Sequence, residues 1–213
     1  MKRSPYRDRA DAGRAVLAGL QAYRATPGLL VLGLARGGLP VAAEVAAGLD
    51  AELDVMVVRK LGTPGHEELA LGAITADRMV LNESLVRSLR VSPEALDAVV
   101  ADERRELARR EAAYRGDRAP ADPAGRVVIL VDDGVATGAT MRAAALDVRA
   151  KGATKVVVAV PTAPAEAGEE FADVADEFVC AYTPKFFVAV GMSYANFNQV
   201  DDEEVCSLLG TRR

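Results

Sequence analysis

Val128-Ile129-Leu130-Val131-Asp132-Asp133-Gly134-Val135-Ala136-Thr137-Gly138-Ala139-Thr140 carries more information than any other stretch of this chain. Four apolar residues read as a buried strand. Two carboxylates end it, and a Gly/Thr-rich turn then opens a helix that runs to about Ala150. In an open α/β sheet, ligands sit beyond the carboxyl ends of the strands. The amides of Val135 to Thr140 are expected to face a concavity at the helix N-terminus, where a phosphate binds favourably. Thr137 and Thr140 add hydroxyl donors, and Gly134 and Gly138 let the backbone come close to a ligand. Asp132 and Asp133 would repel a bare phosphate. They make sense for a ligand that also carries vicinal hydroxyls or arrives with a divalent cation, and a phosphorylated sugar meets both conditions.

The same alternation extends in both directions. Upstream, Asp8 to Tyr23 has helical spacing, and Leu29 to Leu34 and Leu53 to Val58 are apolar runs short enough for buried strands. Arg36-Gly37-Gly38 makes a tight loop between the first of these strands and a helix over Val41 to Leu49. Arg59 to Glu68 is polar and holds Gly62, Pro64 and Gly65, so it reads as a long mobile loop. A hairpin over Leu69 to Ile74 and Arg78 to Leu81 follows it. Ser92-Pro93 starts a helix reaching about Tyr114, whose alternating charges read as a solvated face. Downstream come strands at Lys155 to Val160 and Glu177 to Tyr182, a short helix near Ala165 to Phe171, and an acidic terminal helix beginning near Asp201. Strand-helix alternation with apolar strands means an α/β fold with a mainly parallel sheet covered by helices.

Composition narrows the partners. The 213 residues suggest one domain over 1–213, and half of them are apolar, which excludes wholesale disorder. A formal net charge of -5 and the absence of Trp argue against nucleic acid as a main partner. Cys180 and Cys206 build no disulfide framework, and with His66 as the lone histidine no zinc pattern exists. No apolar run is long enough to span a bilayer, and none follows the charged amino terminus, so no membrane and a cytoplasmic setting are expected.

The strand-acid-acid-loop element resembles the phosphoribosyl pyrophosphate (PRPP) motif of the type I phosphoribosyltransferases: four apolar residues, two acids, three variable positions, then Thr137-Gly138-Ala139-Thr140. The resemblance implies a helix-flanked sheet with a small hood at the carboxy-terminal side, over about 182–213 with a contribution from 1–28. It implies that residues 134 to 140 hold the 5′-phosphate. Ala35, Arg36, Gly37 and Gly38 would bind pyrophosphate, in a loop that many members strain with a cis non-proline peptide. Arg59 and Lys60 would ride on a closing loop and compensate pyrophosphate charge, with Glu67 and Glu68 beside them. His66 is either a solvated loop residue or a contact made on closure. Asp132 and Asp133 would grip the ribose hydroxyls and orient Mg²⁺ through water, with no direct protein metal ligand.

Tyr182-Thr183-Pro184-Lys185-Phe186-Phe187-Val188-Ala189-Val190-Gly191-Met192-Ser193-Tyr194 resembles the hood segment of purine phosphoribosyltransferases. That likeness implies a base stacked on Phe186, Phe187 or Tyr194, with contacts to Lys185 and the backbone at Val188; Ser193 stands where those enzymes carry an acid. The activity implied is displacement of pyrophosphate from PRPP by a ring nitrogen of a nucleobase, as in nucleotide salvage. A homo-oligomer is compatible with this reading. A PRPP-binding regulator without catalysis is the alternative, and a PRPP-forming kinase lacks a recognisable ATP site.

Overall fold

The computed structural model describes residues 4–211, apart from the side chains of Glu67 and Glu68. The parts assigned to residues 1–3, 212–213 and those two side chains therefore lie outside the described residues. In chain order the elements are α1 (Arg9–Ala18), β1 (Leu30–Leu34), α2 (Gly38–Leu49), β2 (Glu52–Met56), β3 (Arg59–Thr63), β4 (His66–Ile74), β5 (Met79–Leu81), α3 (Glu83–Ser88) and α4 (Pro93–Arg115). The chain continues through β6 (Val127–Val131), α5 (Ala139–Ala150), β7 (Lys155–Thr162), α6 (Ala167–Glu170), β8 (Glu177–Tyr182) and α7 (Asp202–Leu208).

Five strands form a parallel sheet in the order β2-β1-β6-β7-β8, and β3-β4-β5 form a separate antiparallel sheet. β6 lies at the centre, as its uninterrupted apolar run requires: Val128 to Val131 are all fully buried. The pleat sends its side chains alternately to two cores. Val128 and Leu130 face α5, packing with Met141, Ala144 and Val148. Ile129 and Val131 face α1 and α2, packing with Val16, Leu20, Val41 and Val45.

Because β6 is flanked on both sides, the loop after it opens at the middle of the sheet's carboxyl edge. The strand order reverses between β1 and β6, so the loop after β1 opens beside it, which is where such sheets hold ligands. The helix starts follow the expected chemistry. Ser92 caps α4 by accepting from Ala95 N at 3.2 Å, with Pro93 in the first turn. Gly138 occupies the N-cap of α5 at φ 69°, a left-handed conformation that favours glycine.

The structure differs from the sequence reading in the segment taken as a loop. Arg59 to Thr63 is a strand, and it turns at Pro64–Gly65 into β4. Leu61 and Thr63 point inward while Lys60 faces solvent, a period of two that the glycines and proline conceal. Register shifts at Gly62 bend the ribbon, which rises from the end of β2 and closes one side of the carboxyl edge. α3, capped by Asn82 accepting from Leu85 N, had no counterpart in the sequence reading.

At Gly33, β1 and α2 approach so closely that a Cβ would lie 2.9 Å from both the Cβ of Ala42 and the Cα of Leu39. Gly33→Ala is therefore expected to lower stability by about 1–3 kcal/mol through overpacking. Urea unfolding of the two proteins measures it; equal midpoints would contradict the contact.

Candidate functional site

A cleft of about 900 Å³ lies over the carboxyl edge of the sheet. One wall is the strand end and loop after β6: Asp132 to Gly138 and Thr140 line it. The amides of Ala136, Thr137 and Gly138 donate to no other group among the described residues, and the first turn of α5 stands behind them with its own free amides. One amide expected to face the cavity does not do so: Val135 N donates to Thr162 O at 3.0 Å, which pins the loop to β7. Ala139 also departs from expectation, since it turns to a neighbouring cavity shared with Lys60, Thr137, Gly138 and Phe171 rather than to the cleft.

Ala35, Arg36 and Gly37 line the cleft from the loop after β1, and the Ala35–Arg36 peptide is cis. Gly38 lies outside the lining. A Cβ there would meet Val131 O at 2.6 Å and Asp132 Cα at 2.8 Å, so Gly38 lets the loop lie against the strand end. Arg59 and Lys60 reach the cleft from β3, together with Pro64 and Gly65 of the ribbon turn. Arg59 Nε donates to Glu103 Oε2 of α4 at 2.6 Å. The charged face of α4 is thus not wholly a solvated surface, because Val99, Asp102, Glu103 and Arg110 form part of the cleft wall.

Asp132 and Asp133 are half-buried. Burial, and then the charge of Asp133, raises the Asp132 carboxyl well above the usual carboxylate range, against the opposing effect of the Asp133 amide, which donates to its Oδ1 at 2.8 Å. Burial also raises Asp133, whose charge Arg9 counters. Arg9 opens α1 and donates from Nε and Nη2 to Asp133 Oδ2 at 2.9 and 2.8 Å, while its Nη1 donates to Asn198 O at 2.7 Å. Its guanidinium lies 4.1 Å from the centre of the Phe197 ring. The sequence reading missed Arg9. Its usable signal was an arginine at the start of a helix whose apolar face packs on the sheet.

The hood residues require correction. Lys185, Phe186, Phe187, Val188 and Tyr194 do not line the cleft. Phe186 is 82% and Val188 74% exposed, on the outside of the irregular segment that follows β8. Tyr194 is buried. Its ring packs on Tyr6 and its hydroxyl donates to Asp133 O, so it supports the acid from below. The cleft is lined instead by Val190, Phe197, Gln199 and Val200. Phe197 is 38% exposed and packs on Tyr194 at 4.8 Å between ring centres. The shift arises because the amino-terminal segment pairs with the hood. Tyr6 N donates to Ser193 O, and Ala195 N and Asn196 N donate to Tyr6 O and Arg7 O. These bonds turn the chain after Ser193 inward. Ser193 itself is buried against the Thr162 hydroxyl at 2.9 Å.

Among the described residues no group of three or more His, Cys, Asp or Glu could hold a metal ion, and no helix is long and apolar enough to cross a membrane. Asp132 and Asp133 both line the cleft, and such a pair would suit a magnesium ion that takes most of its ligands from phosphates and water.

This constellation is that of a phosphoribosyltransferase domain, and residues 21–195 match the family model described as the phosphoribosyl transferase domain. The chain belongs to that family. Two Mycobacterium tuberculosis proteins, each described as a "Putative phosphoribosyl transferase", are 50% identical over 203 residues, 95% of this chain. The chain spans about half (46%) of the length of those relatives. The crystal structure of TT1426 from Thermus thermophilus is 43% identical, with a TM-score of 0.80 over 96% of this chain and 97% of that one.

The raised Asp132 carboxyl has a consequence for stability. An acid whose value is raised by folding contributes stability when protonated, and that contribution is lost as pH rises through its folded value. The free protein should therefore lose stability between the ordinary carboxylate range and the raised value. Asp132→Asn should reduce that dependence, leaving the part due to Asp133, and raise the melting temperature at pH 8 more than at pH 4. Thermal unfolding across pH checks it, and a lowered melting temperature at pH 8 would contradict the assignment.

Proposed function

We propose that this domain transfers the phosphoribosyl group of PRPP to a ring nitrogen of a nitrogenous base and releases pyrophosphate. The observation that carries the reading is the convergence of four elements on one cleft: the amide-rich loop after β6, the acid pair, the loop after β1, and Arg59 with Lys60. A volume of about 900 Å³ is sufficient for a sugar phosphate and a ring together.

In this reading the 5′-phosphate is bound by the amides of Ala136, Thr137, Gly138 and Thr140 and the hydroxyls of Thr137 and Thr140, at the N-terminus of α5. Asp132 and Asp133 take the ribose hydroxyls, with Arg9 holding Asp133 in orientation. Pyrophosphate lies against the loop at Ala35 to Gly37, where Arg36 and Lys60 neutralise it. Asp132 and Asp133 would hold Mg²⁺ through water, and the ion would supply further charge stabilisation for the leaving group. The bond from C1 to the pyrophosphate oxygen breaks as the bond to the ring nitrogen forms, the transition state resembles an oxocarbenium ion, and a proton carried by that nitrogen passes to water or to the released pyrophosphate. No side-chain nucleophile is needed. The protein aligns two reactants, screens the leaving group and excludes water. The ring is assigned to the wall of Val190, Phe197, Gln199 and Val200. A cytoplasmic setting remains part of the proposal.

The regulator reading draws support from one observation, the position of Phe186, Phe187 and Tyr194 off the cleft. Phe197 counters it by offering an aromatic wall there. Pyrophosphate release from PRPP and Mg²⁺, measured with a panel of purine, pyrimidine and pyridine bases, separates the two. Turnover is expected with at least one base and is lost on chelation of the metal. PRPP binding by calorimetry without turnover of any base would favour the regulator.

Two substitutions sharpen the assignment. Lys60→Ala should lower kcat about tenfold or more with a smaller rise in KM, because its contact strengthens as charge develops on the leaving group. Phe197→Ala should raise KM for the base about threefold to tenfold through loss of the apolar wall, with a smaller loss of PRPP affinity because the ring also seats the Arg9 guanidinium. An equal loss of PRPP affinity would remove Phe197 from the base wall.

A further inference from the structure

Asp201 and Asp202 stand together at the start of the carboxy-terminal helix and have separate tasks. Asp201 is the N-cap of α7 and accepts from Glu204 N at 2.8 Å. The carboxylate of Asp202 is therefore not needed for capping. It faces three groups: Tyr114 Oη donates to its Oδ1 at 2.7 Å, Arg36 Nη1 lies 3.5 Å from the same oxygen, and Arg109 Nη1 lies 3.6 Å from Oδ2.

The mount is rigid. Tyr114 has a fully buried ring on α4. Around it, Thr211 Oγ1 donates to Tyr114 O at 2.9 Å and Arg118 Nη1 donates to Leu209 O at 2.8 Å, while Val205 is fully buried between the helices. Asp202 does not line the cleft; of the two cleft arginines near it, Arg36 and Arg110, Arg36 is the one its carboxylate pairs with, so its direct route to a cleft ligand is the Arg36 guanidinium. An arginine side chain on a loop loses several rotatable degrees of freedom when it binds an anion. A fixed carboxylate at one end of the fork removes part of that loss in advance and leaves the remaining donors free. Arg109 and Arg110 stand near the same carboxylate, so its negative charge is met from more than one side.

We infer that Asp202 is a positioning residue, which holds Arg36 in the orientation that receives pyrophosphate. It lies beyond residue 195, outside the part of the chain that matches the family model. The inference rests on the transferase reading above and assigns to the carboxy-terminal helix a part in leaving-group recognition.

The test is a double-mutant cycle on the whole chain, read by calorimetric binding of inorganic pyrophosphate with Mg²⁺. Asp202→Asn should weaken binding about fivefold to tenfold in the wild-type background and have no effect in the Arg36→Ala background, since the two act as one unit. Where turnover is measurable, KM for PRPP should rise by the same factor while KM for the base stays constant. Tyr114→Phe keeps the charge on Asp202 but releases its orientation, and should weaken binding about twofold to threefold, again only when Arg36 is present. Equal losses in both backgrounds, or no loss in either, would overturn the positioning role while leaving the transferase reading intact. A wild-type protein that binds neither pyrophosphate nor PRPP would overturn both.

Discussion

The structure depends on one constraint: β6 is sealed on both faces and both edges, yet its chain must emerge at once into a polar site. Val131 is fully buried, and Asp132 is the next residue. Within one residue the environment changes from apolar core to a carboxylate held in a region that disfavours its charge. The neighbouring parts of the site answer this cost. Arg9 faces Asp133, the Asp133 amide supports Asp132, and Lys60 contributes its charge from the ribbon. Such a pair of acids is costly in the free protein; under the proposed function, a polyhydroxylated ligand carrying a cation would relieve that cost on binding.

The cleft combines two kinds of wall. The loops after β1 and β6 come from the parallel sheet and are held by strand pairing on both sides, which suits groups that must bind phosphates at defined positions. The other walls come from elements outside the sheet: the β3–β4 ribbon, α4, and the interlocked segments around Tyr6 and Tyr194. The family match over 21–195 includes the sheet loops but not Arg9, Phe197, Gln199, Val200 or Asp202. Segments on either side of the matched range thus complete the lining of a cleft whose two sheet loops lie within that range.

What the sequence alone determined follows from local rules. The apolar run Val128 to Val131, the acid pair, the glycine at the N-cap of α5 and the Ser92-Pro93 helix start each take their form from sterics and hydrogen bonding within a few residues. Parallel topology follows as well, because strands apolar on both faces need cover on both. For these reasons Asp132, Asp133 and the loop to Thr140 were legible as a candidate site from the residues, and the family resemblance added Ala35 to Gly37 to it. What only the tertiary structure decided depends on contacts distant in sequence. Arg9 meets Asp133 across 124 positions, and Arg36 meets Asp202 from the far side of the sequence. Phe197 replaced Phe186 and Phe187 as the cleft aromatic because backbone bonds from Tyr6 and Arg7 turned the hood inward after Ser193. The ribbon at Arg59 to Thr63 stayed hidden because its alternation is short, interrupted by glycine, and stabilised by a partner strand rather than by its own composition. Local patterning specifies which face of an element is apolar; it carries no record of which distant side chain will be waiting there when the chain closes.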